Sequence, residues 1–292
     1  MFLTDSYNRP VTNLRISLTA RCNLKCKYCH REGEVSPKDE MSLDDISEIL
    51  KTAAKFNMNS VKLTGGEPTM RKDIVDIIHS VPKSMEASMT TNGTLLAPIA
   101  QDLKDAGLSR VNISIDSLNR EKYKEISGLD YLPRVLDGID AAIDANLTPV
   151  KLNVVLLKDF NENEIEDFIS YAGKKKDVIL QFIELMDLNS DEKKSQIHSL
   201  EEDLEKRAKT IITRRMHHRK KYCIEGAEVE IVRPMHNNEF CAFCNRLRVT
   251  SDGELKPCLL RHDNHINIKG KRGAELESLF ELAVSKREPF FK

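Results

Sequence analysis

The sequence of 292 residues has no excess of charge of either sign and no long apolar run. Its 45 lysines and arginines stand against 46 aspartates and glutamates, which leaves a formal net charge of −1. This balance provides no general basic field for duplex nucleic acid and no acidic tail, so any anionic ligand has to be met by local positive groups. No segment approaches the roughly 18 apolar residues of a membrane-spanning helix. We therefore expect neither a nucleic-acid partner nor a membrane partner.

The N-terminal segment also lacks the pattern of a secretory signal. Asp5, Arg9 and Arg15 occupy the first twenty residues, which contain no apolar core. We expect a cytoplasmic protein, in which thiols stay reduced and cysteine clusters more often bind metals or catalyse reactions than form cross-links. Seven cysteines, an odd number, argue further against a disulfide framework.

Three of these cysteines, Cys22, Cys26 and Cys29, form a C-x3-C-x2-C group. A four-iron, four-sulfur cube held by only three thiolates keeps one iron open for a substrate or cofactor. Zinc is the main alternative, but it would need a fourth ligand, and His30 adjoins Cys29 too directly to serve. The spacing therefore predicts an open iron–sulfur cube.

A second group contains Cys241, Cys244 and Cys258. Its spacing favours a second cube, and zinc remains open because Cys223 or His236 could supply a fourth ligand.

Short β-type runs alternate with helical stretches from residue 13 to about 183, which is typical of βα units and a parallel sheet. We expect strands over 13–18, 60–64, 87–91, 110–115, 149–154 and 178–183. We expect helices over 42–56, where Ser42 and Asp45 make a capping pair, and over 132–145.

Several of these strands alternate apolar and polar residues. Polar residues such as Arg15, Lys62, Asn112 and Lys151 share one face, which would point inward if helices cover the apolar face. The predicted fold is α/β, an incomplete (β/α)6 barrel of the TIM type with a polar, partly cationic lumen. An open sheet with one solvated face is the alternative.

Three regions follow from this pattern: a partial barrel over 1–186, a linker and charged helix over 187–221, and a C-terminal α+β region over 222–292. The charged helix is expected over 200–212, a turn at Asp252-Gly253 and a closing helix over 276–285. Six strands are two short of closure, so the C-terminal region is expected to cover the open side. The basic run 214–221 is interpreted as a solvated helix end or loop rather than a ligand-binding segment.

Gly65-Gly66-Glu67-Pro68 follows the second predicted strand, at the edge where α/β folds bind ligands. Two glycines let the backbone approach an amino-acid-like ligand closely.

The first cysteine group, with Tyr28 inside its loop, and the Gly65–Pro68 segment together resemble the radical S-adenosylmethionine (SAM) superfamily. Segment 13–19 leading into Arg21-Cys22-Asn23, and segment 240–253 leading to Cys258, resemble the GTP 3',8-cyclases, which open molybdenum cofactor biosynthesis. The resemblance extends over nearly the whole chain.

The resemblance implies two [4Fe-4S] clusters, the first held by Cys22, Cys26 and Cys29 and the second by Cys241, Cys244 and Cys258. SAM would bind the open iron of the first cluster, and the guanine ring of GTP that of the second. Matching SAM contacts are Tyr28, Gly66, Ser114 and Met186. Matching GTP contacts are Arg15, Lys62, Thr90, Lys151, Arg246, Leu247 and Arg248.

The implied reaction forms (8S)-3',8-cyclo-7,8-dihydroguanosine 5'-triphosphate. A 5'-deoxyadenosyl radical would remove hydrogen from C3' of the ribose, and C3' would then attack C8 of guanine; no side chain is assigned as an acid or base. The implied partners are GTP, an electron donor, cyclic pyranopterin monophosphate synthase as the next enzyme, and a second copy in a homodimer.

Two places depart from the family pattern: Gln181 stands where many relatives carry arginine, and the sequence closes on Arg287–Lys292 where bacterial members carry a Gly-Gly tail.

Two other hypotheses fit parts of the sequence. One is a different radical SAM enzyme with an auxiliary cluster, such as a peptide-modifying enzyme, against which the Asn245–Arg248 segment argues. The other is a zinc-stabilised binding module that uses the basic run 214–221 for nucleic acid.

Overall fold

The computed structural model describes residues 2–34, 39–186, 197–214, 216–235 and 237–290. Its strands are β1 Asn13–Ser17, β2 Ser60–Thr64, β3 Glu86–Thr91, β4 Leu108–Ser114, β5 Val150–Leu156, β6 Val178–Glu184, β7 Thr210–Thr213, β8 Lys220–Ile224, β9 Ala227–Val232, β10 Arg246–Val249, β11 Glu254–Lys256 and β12 Ile266–Asn267. Its α-helices are α1 Leu43–Lys55, α2 Ile74–His79, α3 Ala100–Asp105, α4 Arg120–Ser127, α5 Leu132–Asp144, α6 Ile165–Gly173, α7 Ile197–Arg207, α8 Asn238–Ala242 and α9 Gly273–Ser285.

The strands form one sheet in the order β12-β11-β10-β1-β2-β3-β4-β5-β6-β9-β8-β7. Strands β1 to β6 are parallel neighbours, β10 joins β1 in parallel, and β9 joins β6 in parallel. The outer strands are antiparallel, and the order ends at β12 and β7, so the described sheet is not closed. The predicted α/β fold with six parallel strands is confirmed. The C-terminal region extends this sheet at both edges.

The local predictions for the first half of the chain are confirmed within one or two residues. Helix α1 begins after Ser42, whose side chain and that of Asp45 form a reciprocal capping box. The core-facing apolar side chains of the parallel strands, such as Leu14 and Ile16 in β1, are buried in the hydrophobic core beneath the helices. The opposite faces of these strands line a cavity, as the period-two alternation predicts.

The predictions for the second half are less accurate. The helix expected over 200–212 is wrong at its C-terminal end, because α7 stops at Arg207 and Thr210–Thr213 pairs with β8. The residues Thr-Ile-Ile-Thr are β-branched, and such residues favour strands. The turn at Gly253, with φ +89, and the closing helix α9 are confirmed. The predicted linker lies largely outside the described residues, and the three-region division stays a prediction.

Among the described residues, no helix combines the length and apolarity needed to cross a membrane.

Gly65 and Gly66 hold the end of β2 against the segment that leads into the first cysteine group. The backbone N–H of Gly66 donates to the carbonyl of Thr19 at 2.7 Å, and that of Glu67 donates to the carbonyl of Arg21 at 2.8 Å. A Cβ on Gly66 would lie 2.3 Å from the Arg21 oxygen. The fully buried Glu67 carboxylate accepts hydrogen bonds from Thr91 and Asn92. This segment therefore fixes the position of the cysteine loop.

Gly66→Ala should disturb that loop through a steric clash alone, since the Gly66 backbone lies outside the left-handed region. We expect a loss of about 1–3 kcal/mol in the free energy of unfolding, typical of overpacking, together with poorer incorporation of iron. Urea unfolding and iron analysis measure both. Gly107→Ala is the control: its φ is +108 with open space around a Cβ, so it should cost stability without affecting iron. Normal iron content in Gly66→Ala would contradict this account.

Candidate active site

Both cysteine groups line a single cavity of about 870 Å³. The first group lies in the loop between β1 and α1, and the second is carried by α8, the connection between α8 and β10, and the segment after β11. The fold therefore brings together two sets of three thiols that are more than 200 residues apart in the sequence. Within the described residues, none of these cysteines forms a disulfide. Cys223 lies on β8, outside the residues that line the cavity, and His236 lies outside the described residues.

The first cysteine loop is attached to the C-terminal end of α4. The backbone N–H groups of Lys25 and Lys27 donate to the carbonyls of Ser127 and Ile126 at 2.9 and 3.1 Å. Burial raises the pKa of the Cys26 thiol to about 12, so binding of iron has to displace protons from this loop. Three thiols on one anchored loop fit the donor set of a cube with one open iron.

The second group is held by two buried arginines from the ends of the chain. Arg9 donates to the carbonyl of Cys241 at 3.0 Å, and Arg287 donates to that of Cys244 at 2.6 Å. Asp5 pairs with both arginines, at 2.8 and 3.1 Å. Burial would raise the pKa of the Cys244 thiol, but Arg287 and other nearby guanidinium groups hold that pKa below its usual value. The arginines around the second group therefore favour the thiolate form of Cys244, which is the form in which cysteine binds a metal.

All four residues that match SAM contacts line the cavity: Tyr28, Gly66, Ser114 and Met186. Gly66 and Met186 follow β2 and β6, and Ser114 ends β4, so these three share the carboxyl edge of the sheet. The hydroxyl of Tyr28 donates to Asp116. Burial raises the pKa of Asp116 to about 6, against the effect of that hydrogen bond.

Six of the seven residues that match GTP contacts line the cavity: Arg15, Lys62, Thr90, Lys151, Arg246 and Arg248. The side chain of Leu247 does not; it is fully buried in the hydrophobic core. Alternate residues of β10 face opposite sides of the sheet, so any contact from Leu247 has to come from its backbone.

Glu32 lies between two of these cations. Its carboxylate is 3.5 Å from Arg15 and 3.1 Å from Arg248. Although burial raises the pKa of Glu32, these two guanidinium groups dominate and lower it to about 2. Lys62 donates to Asn112 at 2.9 Å, and burial together with Arg15 lowers the pKa of Lys62 well below its usual value. The Glu32 carboxylate and the Asn112 amide thus hold three cavity-wall cations in place.

A second carboxylate, Glu230 on β9, was not among the sequence candidates. It is fully buried and lies 3.2 Å from Lys151, 3.4 Å from Arg219 and against Arg214. Burial raises the pKa of Glu230, yet the three cations lower it to about 2. Glu230 alternates with buried apolar residues along β9, and extending the period-two search beyond residue 222 would have found it.

The interpretation of the basic run as solvated is wrong for part of that segment. Arg214, His217 and Arg219 line the cavity, whereas Lys220 and Lys221 pair with Glu205 and Glu228. These three residues lie in the connection between β7 and β8, and its fold places them at the cavity, which a linear charge pattern does not reveal.

The two parts of the chain match two different protein families. Residues 16–172 match the Radical SAM superfamily, and residues 178–292 match the family Molybdenum Cofactor Synthesis C.

Relatives match over nearly the whole length. A probable GTP 3',8-cyclase of Methanosarcina mazei is 53% identical, over 99% of this chain and 90% of the relative. One of Pyrococcus abyssi is 48% identical, over 99% of each chain. Among solved structures, Streptococcus suis SuiB bound to precursor peptide SuiA superposes with a TM-score of 0.71 at 16% identity, over 94% of this chain and 66% of that one. That likeness shows the fold. The chain thus belongs to the radical SAM superfamily and, within it, to the GTP 3',8-cyclase family.

Proposed function

We propose that this protein converts GTP to (8S)-3',8-cyclo-7,8-dihydroguanosine 5'-triphosphate, the first step of molybdenum cofactor biosynthesis. The observation that carries the proposal is the single cavity lined by both cysteine triplets, with a cationic wall along the strands. A nucleoside triphosphate needs a polar wall for its phosphates and a separate place for its base. The relatives named above, which are probable GTP 3',8-cyclases, support the choice of this reaction.

At one end of the cavity, Cys22, Cys26 and Cys29 hold the first [4Fe-4S] cluster in our proposal. A cluster held there would supply one electron for cleavage of the SAM sulfonium, which would yield methionine and a 5'-deoxyadenosyl radical. Tyr28, Gly66, Ser114 and Met186 bind and orient SAM from the adjoining sheet edge. The hydrogen bond from Tyr28 to the buried Asp116 fixes the aromatic ring in place.

At the other end, Cys241, Cys244 and Cys258 hold a second cluster that positions guanine. Arg15, Lys62, Thr90, Lys151, Arg246 and Arg248, with the backbone of Leu247, bind GTP between the two ends. Removal of hydrogen from C3' and attack of C3' on C8 leave an unpaired electron on the base, so one more electron and a proton complete the product. The chemistry therefore requires an external one-electron donor.

The residues assigned to SAM and GTP bind these molecules and exclude water; none of them acts as an acid or a base. Arginine binds phosphate oxygens in a bidentate manner, and several buried cations on one wall compensate the charge of a triphosphate. A carbon radical reacts with the nearest hydrogen donor, so the orientation of the ribose decides the product. We also propose a cytoplasmic location, transfer of the product to cyclic pyranopterin monophosphate synthase, and a homodimer.

Iron content and products test this function directly. Anaerobically reconstituted protein should contain about eight irons per chain, since each cube carries four. With SAM, a reductant and GTP it should yield 5'-deoxyadenosine and a cyclised nucleotide, measured by mass spectrometry. A colourless zinc protein, or 5'-deoxyadenosine without any product from GTP, would overturn the proposal.

The role of the second cluster is tested by Cys258→Ala. This variant should retain about four irons and still cleave SAM, but it should lose the GTP-derived product because the base is no longer positioned. Cys223→Ala is the matched control and should keep the full iron content and activity. Equal loss of iron in the two variants would contradict the assignment.

Binding of GTP should also change the protonation of Lys151. Burial lowers the pKa of this lysine to about 7; Glu230 opposes this effect, and Arg214 and Arg219 add to it. Lys151 is therefore largely neutral at pH 8, and a triphosphate beside it favours the charged form. Calorimetry at pH 8 in buffers of different ionisation enthalpy should show uptake of up to about one proton per GTP.

In Lys151→Arg the guanidinium group is already charged at pH 8. The proton uptake on GTP binding should therefore fall while GTP still binds. Proton uptake equal to that of the original protein would show that other groups carry the effect.

A further inference from the structure

The segment between β7 and β8 contributes three side chains to the cavity. Arg214 follows β7, His217 lies in a short 3-10 turn, and Arg219 directly precedes β8. All three line the cavity that contains the two cysteine groups. We refer to Arg214, His217 and Arg219 together as the basic arm. None of its residues is among those matched to SAM or GTP above.

Glu230 holds the basic arm next to the substrate wall. Its single carboxylate pairs with Arg214, Arg219 and Lys151, so two guanidinium groups and a lysine share one negative charge. Gln181, on the neighbouring strand β6, donates to the same carboxylate and brings no charge of its own. The cluster thus has a local excess of positive charge on a mostly buried wall. Such an excess is costly unless an anion binds there.

His217 gives an independent indication of a ligand. Its side chain is only 4% exposed and stacks on Phe240 with ring centroids 3.7 Å apart. Among the described residues, neither ring nitrogen of His217 has a hydrogen-bond partner, and the buried Nε of Arg219 has none there either. Buried polar atoms are normally satisfied, so these atoms are available to hydrogen-bond a ligand in the cavity.

Electrostatics agree with this geometry. Burial, with the nearby Arg246 and Arg219, lowers the pKa of His217, so its imidazole is neutral and can both donate and accept. Burial also lowers the pKa of Arg219, and repulsion from Arg214 and Arg15 acts in the same direction. Arg15 is one of the residues assigned to GTP, which places the arm beside the proposed substrate.

We propose that the basic arm is a polyphosphate-binding element: Arg214 and Arg219 bind phosphate oxygens of GTP together with Lys151, and His217 hydrogen-bonds to the same nucleotide. This inference rests on the proposed function for the identity of the nucleotide. The arm makes the site selective for a triphosphate over nucleotides with fewer phosphates. Glu230 is a positioning residue, because it holds the arm through its carboxylate.

Binding of GTP, GDP, GMP and guanosine to the reconstituted protein, without reductant, tests the proposal. Calorimetry should give decreasing affinity in that order. In Arg219→Gln, the affinity for GTP should fall about 10-fold to 100-fold, as expected for loss of a charge-assisted contact. The affinity for guanosine should change less than about 2-fold, because the base is bound elsewhere.

Further variants separate binding from folding. Lys220→Gln and Lys221→Gln remove equal charges from the same segment, on side chains that pair with Glu205 and Glu228, and should leave GTP affinity unchanged. Arg219→Lys should recover part of the affinity. His217→Phe retains stacking on Phe240 and should weaken GTP binding through loss of the ring nitrogens alone.

Two results would overturn the inference: unchanged GTP affinity in Arg219→Gln, or an equal loss of affinity for GTP and guanosine. If the original protein binds no guanine nucleotide, the proposed function fails instead. Inorganic tripolyphosphate then tests the arm by itself, and binding that is lost in Arg219→Gln but retained in Lys220→Gln would still support it.

Discussion

Buried positive charge in excess of its counterions is the constraint on which the cavity depends. Along the described wall, guanidinium and ammonium groups outnumber carboxylates. Isolated charges are costly to bury, and pairing repays that cost only where geometry and hydrogen bonding are good. The protein meets this constraint with two deeply placed carboxylates, Glu32 and Glu230, each shared among several cations. The remaining charge is what makes the cavity suited to a polyanion.

The two carboxylates also connect parts of the chain that are remote in sequence. Glu32 belongs to the loop that follows the first cysteine group, and it pairs with Arg248 on the strand that follows Cys244. Glu230 on β9 joins Lys151 on β5 to the basic arm. The wall cations are therefore held in relation to one another before any ligand arrives. Such preorganisation lowers the cost of orienting a flexible triphosphate.

The ends of the chain complete the site through a third buried network. Asp5, Arg9 and Arg287 bring the N-terminal segment against the residues that follow α9, and both arginines donate to carbonyls of the second cysteine group. The parallel pairing of β10 with β1 places Arg246 and Arg248 beside Asn13 and Arg15. The last part of the sequence thus reaches the first strand of the sheet, and the two cysteine groups share one cavity.

The sequence by itself determined the parallel strands, the polar faces that line the cavity and which cysteines form the two groups. These features are local, because strand alternation has a period of two and thiol spacing lies within short segments. Only the tertiary structure decided that Leu247 faces the core, that Glu230 anchors three cations and that Arg214, His217 and Arg219 turn inward while Lys220 and Lys221 do not. Those outcomes depend on strand pairing at the sheet edges and on electrostatic partners from distant segments, and neither is encoded in the spacing of neighbouring residues.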